Sequence, residues 1–271
     1  MDYDPVKDRL VTFFGDSRLG QRLFFGVLHL VFLRSWYVRR VLRKHLGDAP
    51  STVLDAGTGF GQYTDWILRR FRGAHVVAVD IKRDYLARVE RYLERAGVAS
   101  RAEVRFGDLT ALEETGPFDL ILCVDVMEHI EADVQVFKHF HRVLRPGGVV
   151  VVNTPSDQGG SNVSDDGEDS FIGEHVRDGY GVEEIRAKLA EAGLTLEAAE
   201  YGYGPAGTMG WSVLVQLPML ALGRSMAWAL LLPVYYLLAL PVGLLLNAAD
   251  MAVRNETGTG LTVVARKRAT E

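Results

Sequence analysis

Cysteine is nearly absent from the sequence: Cys123 is the only one among 271 residues, so no disulfide can form within one chain. Cys123 lies in the apolar run of residues 120–124, which predicts a buried strand residue in a reducing compartment. An excess of basic charge is also missing, since the formal net charge is -5. This balance disfavours nucleic acid as a partner, because a surface that follows phosphates is normally basic.

A secretory signal is missing from the first ten residues as well. The sequence MDYDPVKDRL carries acids and has no apolar stretch directly after a basic start. We therefore expect the folded part of the chain to stay in the cytoplasm.

Charge is almost missing from a long stretch near the end of the sequence. Between residues 201 and 249, Arg224 is the only charged side chain, and the uncharged run 225–249 is long enough to span a membrane. A single span is excluded if the flanking strands pair in one sheet, because both ends then lie on one side of the membrane. A re-entrant or helical hairpin, an interfacial helix pair, and an apolar lid buried on the core or on a second subunit stay open. Short broken helices are favoured by three prolines: Pro218, Pro233 and Pro241.

A second apolar stretch, LFFGVLHLVFL at residues 23–33, is too short to span a membrane. It is followed by RSWYVRRVLRKHL, which is rich in Arg and Lys, with Trp36 and Tyr37 interleaved. The pattern is typical of an interfacial helix that faces anionic lipid. It is also typical of a helix that packs on the core and leaves a basic face in water.

From residue 51 to about 200 the pattern alternates between strand and helix, which predicts a parallel sheet covered on both faces. Strand-like runs occupy residues 52–56, 75–80, 102–106, 118–124 and 148–153. Helix-like runs occupy residues 62–71, 83–96, 132–144 and 182–192. Two further strand candidates are LTLEAAEYGYG and TGTGLTVVARKR, on either side of the uncharged stretch. The predicted fold is thus α/β: a Rossmann-like, doubly wound sheet of seven mostly parallel strands.

The same pattern divides the chain into four parts. We expect an N-terminal helical segment at residues 1–46 and a core at residues 47–204. An apolar helical insertion follows at residues 205–256, between the last two strands. Residues 257–271 then supply the last core strand and the C-terminus.

Three glycines stand between the first strand and the first core helix, in VLDAGTGFGQ. Gly57, Gly59 and Gly61 let the backbone take positive φ and approach a nucleotide-sized ligand at the helix N-terminus. Their G-x-G-x-G spacing differs from the G-x-G-x-x-G typical of dinucleotide sites, which disfavours an oxidoreductase. Asp55, two residues earlier, would repel a pyrophosphate and suits a cofactor with a cationic amino-acid end.

Five stretches in order resemble the class I S-adenosylmethionine-dependent methyltransferases: VLDAGTGFGQ, VVAVD, FGDL, FDLILCVDVMEHI and VLRPGGVVVVNTP. The resemblance is closest to the branch that includes quinone, sterol and other small-molecule methyltransferases, where EHI and LRPGG are common. It covers roughly residues 50 to 200 and the last strand. It implies S-adenosylmethionine as the cofactor and S-adenosylhomocysteine as the product.

The resemblance also implies individual cofactor contacts. The glycines pass close to the methionyl and ribose part, Asp80 accepts hydrogen bonds from the ribose hydroxyls, and Ile81 packs on the adenine. Asp108, next to Leu109, binds the adenine amino group. The full set of implied cofactor residues is Asp55, Gly57, Thr58, Gly59, Gly61, Asp80, Ile81, Asp108, Leu109 and Asp125.

If the resemblance is set aside, three of these acids have simpler explanations. Asp55 caps the following turn, Asp80 is an ordinary strand-end acid, and Asp108 is a solvated turn residue. Asp125 and Glu128 are expected to contact the methionyl end of the cofactor or the substrate.

Methyl transfer from a sulfonium is an in-line displacement, so the protein mainly aligns the reactants and excludes water. A general base is needed only where the nucleophile holds its proton tightly. The candidates are His129, after the fourth strand, and His175, which with Arg177 and Tyr180 would form a substrate-side or lid element. The alternatives are that His129 caps or packs the next helix and that His175 lies in a solvated loop. The acidic run 164–170 has no spacing of metal ligands, so we expect no metal and a loop that gates the site.

Together these features predict a methyltransferase on the cytoplasmic face of a membrane, held there peripherally or monotopically. Its acceptor is expected to be small and lipophilic: a quinone, an isoprenoid or a lipid. Two alternatives stay open: a methyltransferase of a polar metabolite or protein whose insertion is an anchor or dimer face, and a non-catalytic membrane adaptor. A homodimer is compatible with either.

Overall fold

A computed structural model describes residues 17–113, 116–159 and 176–269, with Met226 described by its backbone alone. Within these residues, seven strands form one sheet in the order β3-β2-β1-β4-β5-β7-β6. The strands are β1 Ser51–Ala56, β2 Ala74–Asp80, β3 Ala102–Phe106, β4 Phe118–Val124, β5 Leu144–Pro155, β6 Leu194–Gly202 and β7 Gly260–Lys267. Strands β1 to β5 run parallel and β7 is antiparallel to both of its neighbours, which confirms the predicted fold class.

The described helices cover both faces of this sheet. They are α1 Arg18–Val31, α2 Leu33–His45, α3 Gln62–Arg70, α4 Arg83–Ala96, α5 Asp133–Val143, α6 Val182–Glu191, α7 Pro205–Trp211, α8 Leu217–Arg224 and α9 Leu232–Ala252. On one face Phe137 of α5 and Ile185 of α6 belong to one buried apolar cluster. On the other face Val38, Ile67 and Leu93 bring α2, α3 and α4 into a second one.

The central strands each contain a continuous apolar run, as expected where both faces of a strand are covered. The run of valines at residues 149–152 in β5 is buried throughout, as expected for a strand between two helical layers. Cys123 is fully buried in β4, as its apolar surroundings predicted.

The N-terminal helices pack on the core. Phe25 of α1 meets the ring of Tyr92 edge-on at 5.2 Å, and α2 buries Val38 and Leu42. These contacts match the alternative in which the N-terminal apolar stretch packs on the core. However, α1 also keeps a second apolar stripe in the open, formed by Leu19, Leu23, Val27 and Leu30.

The insertion between β6 and β7 is a helical hairpin. Helix α7 continues through a π turn, Ser212–Gln216, into α8, and the chain reverses at Ser225 before a 3-10 turn, Met226–Leu231, leads into α9. Two segments, Pro205–Arg224 and Ala227–Ala252, are long and apolar enough to cross a membrane. In their most apolar windows only 22% and 11% of the residues are buried. A lid buried on this chain's own core is therefore ruled out.

The expectation of short broken helices is wrong at Pro241, which lies inside the 21-residue helix α9. It holds at Pro218 and Pro233, which lie where α8 and α9 begin, after a π turn and a 3-10 turn. The regular α-helical hydrogen bonding is interrupted at these two positions, where proline has no N–H to donate. The chain reverses at Ser225, which adopts extended backbone and is not preceded by proline.

Candidate active site

The glycine turn connects β1 to α3 at the carboxyl edge of the sheet. Gly57 has φ 81° and a Cβ there would lie 2.3 Å from Val126 Cγ2, so no larger residue fits. Gly59 has φ 53° and differs, because a Cβ at this position would meet nothing within 4 Å. The middle glycine therefore borders open space in which a ligand could approach the backbone.

Asp55 and Thr58 support this turn from behind. Both are buried, and Asp55 Oδ2 accepts hydrogen bonds from Thr58 Oγ1 at 2.8 Å and Thr64 Oγ1 at 2.6 Å. Burial raises the pKa of the Asp55 carboxyl to about 6, against the effect of the two hydroxyls. This geometry matches the turn-capping alternative for Asp55, and its contact with a cofactor stays a prediction.

Asp80 stands at the end of β2, beside the middle glycine. Its Oδ2 accepts from Gly59 N–H at 2.8 Å and its Oδ1 from Lys82 N–H at 2.9 Å. A carboxylate has about four acceptor positions, so each oxygen can accept one more hydrogen bond, as two ribose hydroxyls require. Ile81 follows it with 59% of its surface exposed, which leaves an apolar face for a base.

The FGDL stretch follows β3, and the cofactor contacts predicted for Asp108 and Leu109 stay predictions. Asp108 Oδ1 accepts from the backbone N–H and the hydroxyl of Thr110, both at 2.8 Å, and so caps a short turn. Leu109 is buried in the core beneath it. Of these two residues, only Asp108 faces solvent near the end of β3.

Asp125 follows β4 on the same edge, with φ 52°. Its Oδ2 lies 2.7 Å from Nη1 of Arg34, at the start of α2. The backbone N–H of Arg34 donates to the Tyr203 hydroxyl at 3.1 Å. Burial disfavours the charge of Arg34, but Asp125 together with Tyr63, Tyr203 and Glu128 outweighs burial and raises the pKa of the guanidinium.

The sequence did not predict Arg34 as a site residue. It belongs to the basic run whose interpretation was a lipid-facing or solvated surface, and nothing local separates it from Arg39 or Arg40. The structure turns it inward because α2 begins at the carboxyl edge of the sheet. Tyr203 and Tyr63 were missed for the same reason, since both side chains reach Arg34 only through tertiary packing.

Glu128 and His129 lie just beyond Asp125 in a short helical turn, Met127–His129. Glu128 is buried and accepts a hydrogen bond from Thr154 Oγ1 at 3.1 Å. Burial, with the negative charge of Asp125, raises its pKa to about 8, so at neutral pH the carboxyl is mostly protonated. His129 is half-buried at the same edge, and its role as a base stays a prediction.

Arg177 and Tyr180 have a structural role that corrects the lid interpretation. Both contact the buried carboxylate of Asp133 at the start of α5: Arg177 as an ion pair, and Tyr180 by donating its hydroxyl at 2.7 Å. Lys188 completes the cluster at 2.6 Å. His175 and the acidic run 164–170 lie outside the described residues.

The structure thus brings Gly59, Asp80 and Asp125 to one edge of the sheet, with Arg34 added. Residues 53–148 match the family model described as a methyltransferase domain. Together with the strand order, this match shows that these residues form a class I S-adenosylmethionine-dependent methyltransferase domain. The part of the chain that the structure describes contains no group of three or more His, Cys, Asp or Glu placed to hold a metal ion.

Among individual proteins, the chain is 32% identical over 108 residues to the ubiquinone biosynthesis O-methyltransferase of Pseudomonas paraeruginosa strain PA7. The match covers 40% of this chain and 46% of the relative. The enzyme of the same name from Psychrobacter cryohalolentis is 29% identical over 111 residues, 40% of this chain and 42% of the relative. The chain therefore spans about half the length of the curated relatives it matches, or less.

Solved structures share the fold at lower identity. The phosphoethanolamine N-methyltransferase 2 of Haemonchus contortus, in complex with S-adenosylmethionine, has a TM-score of 0.62 at 18% identity, covering 93% of this chain and 57% of that one. The same enzyme in complex with phosphomonomethylethanolamine and S-adenosylhomocysteine has a TM-score of 0.60 at 17% identity, covering 93% of this chain and 57% of that one. S-adenosylmethionine is the cofactor of this domain class, and the open space at Gly59 with the acceptors of Asp80 fits it.

Proposed function

We propose that the chain is an S-adenosylmethionine-dependent methyltransferase that acts at a membrane on a small lipophilic acceptor of the quinone, isoprenoid or lipid class. The observation that carries the proposal is that two exposed apolar surfaces, the hairpin and helix α1, lie at the edge of the sheet that holds the predicted cofactor residues. The hairpin starts after β6 and returns to β7, whose paired ends Gly202 and Gly260 lie at the edge where β5 ends.

Helix α1 provides the second apolar surface and lies against the glycine turn. Phe24 packs on Phe60, within the turn, with ring centroids 6.2 Å apart. His29 Nε2 lies 3.3 Å from the Gln62 carbonyl oxygen at the start of α3. Burial, with the charge of Arg39, lowers the pKa of His29 to about 4, so the neutral ring holds this contact at physiological pH.

The exposed stripe of α1 faces away from the turn it covers. Its four members, at helical spacing, are Leu19, Leu23, Val27 and Leu30. A helix that is apolar on both faces suits a position between a protein core and a lipid surface. A lipophilic acceptor could therefore pass from the membrane to the cofactor edge without crossing water.

Different site residues would bind different parts of the cofactor. Asp80 would accept the ribose hydroxyls, and the open face of Gly59 would let the chain pass close to the ligand. The ion pair of Arg34 and Asp125 offers one positive and one negative group, which together complement an amino-acid carboxylate and ammonium. When bound, S-adenosylmethionine supplies an electrophilic methyl group.

The remaining tasks belong to the chain's own side chains. Helix α1 excludes water above the turn, which favours displacement over hydrolysis. If the acceptor is a phenolic hydroxyl, His129 is the candidate to take its proton. The similarity to ubiquinone biosynthesis O-methyltransferases supports an oxygen acceptor on a quinone-type ring.

The experiment is transfer of label from methyl-labelled S-adenosylmethionine into a total cell extract that is then split into lipid and aqueous fractions. We expect label in the lipid fraction with the unsubstituted protein and its loss with Asp80→Ala. Because the charge of the Asp80 carboxylate strengthens the hydrogen bonds it accepts, its removal should weaken cofactor binding roughly tenfold or more.

The matched control is Asp84→Ala, an exposed acid in the first turn of α4, which should leave the label unchanged. Label in the aqueous or protein fraction alone would contradict the lipophilic acceptor and favour the insertion as an anchor or dimer face. Binding of S-adenosylhomocysteine without any transfer would favour the non-catalytic adaptor.

A further inference from the structure

The hairpin satisfies its own backbone where a proline interrupts the hydrogen bonding. Pro218 has no N–H to give to the carbonyls it could otherwise reach, Val213 O in the register of the π turn or Leu214 O in the α-helical register. The opposite helix supplies both partners: Tyr235 donates its hydroxyl to Val213 O at 2.6 Å and Tyr236 to Leu214 O at 2.7 Å. In water such carbonyls would simply be hydrated, whereas in lipid each needs a protein donor.

Close packing through glycine holds the two arms together. A Cβ at Gly243 of α9 would lie 2.3 Å from the Leu214 side chain. A Cβ at Gly210 of α7 would lie 2.6 Å from Asn247 Oδ1. Small residues at such contacts are typical of helices that associate within a bilayer, where apolar burial does not drive association.

The outward faces of both arms carry mostly large apolar side chains. Helix α9 buries only the stripe Ala239, Gly243, Asn247 and Asp250. Large apolar side chains that stay exposed on the two arms are Leu217, Leu220, Leu230, Leu231, Val234, Leu237, Leu238, Val242 and Leu245. A dimer face would need one apolar side, whereas an apolar surface that extends over every outward-facing side of the pair suits lipid.

Polar side chains lie at both ends of the hairpin. At the base, Asp250 Oδ1 accepts from the Tyr37 hydroxyl at 2.7 Å and Oδ2 from Gly207 N–H at 3.0 Å. At the tip, Arg224 and Ser225 precede Trp228, which is half-exposed. Within the first arm, Ser212 donates to Gln216 Oε1 at 2.9 Å, so this hydroxyl is satisfied internally.

The length between the docked base and the tip fits a bilayer. At 1.5 Å per residue, residues 209–224 extend about 24 Å, and residues 227–245 extend about 31 Å because the 3-10 turn rises about 2.0 Å per residue. The hydrocarbon core of a bilayer is about 30 Å thick. Tryptophan and arginine at the tip are the side chains that favour the interface beyond it.

We infer that the hairpin of residues 205–252 crosses the bilayer twice, with Arg224 and Ser225 on the face opposite the methyltransferase domain. The inference rests on the membrane association proposed above and replaces peripheral or monotopic attachment with a two-helix span. The occupant of the apolar surface is lipid hydrocarbon.

Single-cysteine labelling tests this topology in the full chain. Cys123 is fully buried, so the unsubstituted protein should take up no membrane-impermeant maleimide. Ser225→Cys reports the tip, and Glu94→Cys, at an exposed position of α4, reports the methyltransferase domain. Gly223→Cys, where a side chain meets nothing within 4 Å, is a second tip position should Ser225→Cys not fold.

In sealed vesicles of one orientation, the maleimide should label either the tip or the domain but not both, and it should label both positions completely after permeabilisation. Labelling of both positions before permeabilisation, or recovery of the protein without membrane, would overturn the inference. A tip that stays unlabelled after permeabilisation would also overturn it and indicate a second copy or a re-entrant hairpin. Because labelling is independent of methyl transfer, failure here leaves the lipid-fraction experiment free to support or contradict the proposed function.

Discussion

Gly59 and Gly97 have similar backbones in different surroundings. Gly59 has φ 53° in the cofactor turn and Gly97 has φ 73° at the end of α4, and a Cβ at either position would meet nothing within 4 Å. The strain of an added methyl group is therefore comparable at the two positions. The open space at Gly59 belongs to the proposed cofactor site, whereas the open space at Gly97 does not.

Gly59→Ala and Gly97→Ala should each lower the free energy of unfolding by about 1 kcal/mol, because alanine is strained at positive φ. Gly59→Ala should in addition weaken S-adenosylhomocysteine binding by roughly tenfold or more, since its methyl group enters the ligand space. Thermal unfolding and calorimetric titration measure the two effects. Equal affinities in the two variants would show that no ligand lies against Gly59.

Glu128 ties the stability of the fold to pH. Burial, with the charge of Asp125, raises its pKa from 4.5 to about 8. Between these values the folded chain keeps a proton that the unfolded chain has lost, so the free energy of unfolding falls as pH rises. The stabilisation is complete below about pH 4.5, is lost as pH passes about 8, and changes by at most about 1.4 kcal/mol per pH unit.

Glu128→Gln should remove this slope, so the variant gains stability relative to the unsubstituted protein as pH rises toward 8. Thermal unfolding in detergent at several pH values between about 5 and 9 measures the difference. Glu131→Gln, at an exposed neighbouring position, is the control and should keep the original slope. Parallel profiles for Glu128→Gln and the unsubstituted protein would mean that Glu128 is ionised throughout.

At the scale of elements, the hairpin depends on the match between Pro218 and two tyrosines. Tyr236→Phe leaves the Leu214 carbonyl without a donor and should lower the free energy of unfolding in detergent by about 1 to 3 kcal/mol. Pro218→Ala restores a backbone N–H, so Tyr236→Phe should cost less in that background. Thermal unfolding of the two single variants and the double variant measures the coupling. Strict additivity of the two changes would contradict the exchange of donors described here.

Most elements were predictable because their signals are local. The strand-like run 102–106 coincides with β3, and the helix-like run 83–96 with α4, since each depends on periodicity and flanking turn residues. The beginning of β5 was not predictable in the same way. Leu144 was expected to end a helix, yet it pairs with Phe118 across a shift in register, which depends on the neighbouring strand.

Proline shows where a local rule fails. Its position in the sequence predicted breaks in the insertion, yet Pro241 is accommodated within α9 and Pro218 is compensated by the opposite arm. The cost of a missing N–H depends on whether another group can replace it, and that group comes from elsewhere in the chain.

At the scale of the whole molecule, the cofactor edge and the apolar surfaces lie together. The parallel strands direct the glycine turn, Asp80 and Asp125 to one edge, and the hairpin leaves from the corresponding end of β6 and β7. Helix α1 then bridges them. With the hairpin across a bilayer, this edge would face lipid, so the proposed acceptor and the proposed topology depend on the same geometry.

The sequence by itself determined the alternation of strands and helices, the glycine turn with Asp80, and the apolar insertion, because periodicity, turn residues and hydrophobicity are properties of neighbouring residues. Only the tertiary structure decided that Arg34 meets Asp125, that Arg177 and Tyr180 hold Asp133, and that the insertion is an exposed hairpin. These outcomes join residues far apart in the chain. Such contacts depend on how the elements pack, which no local pattern specifies.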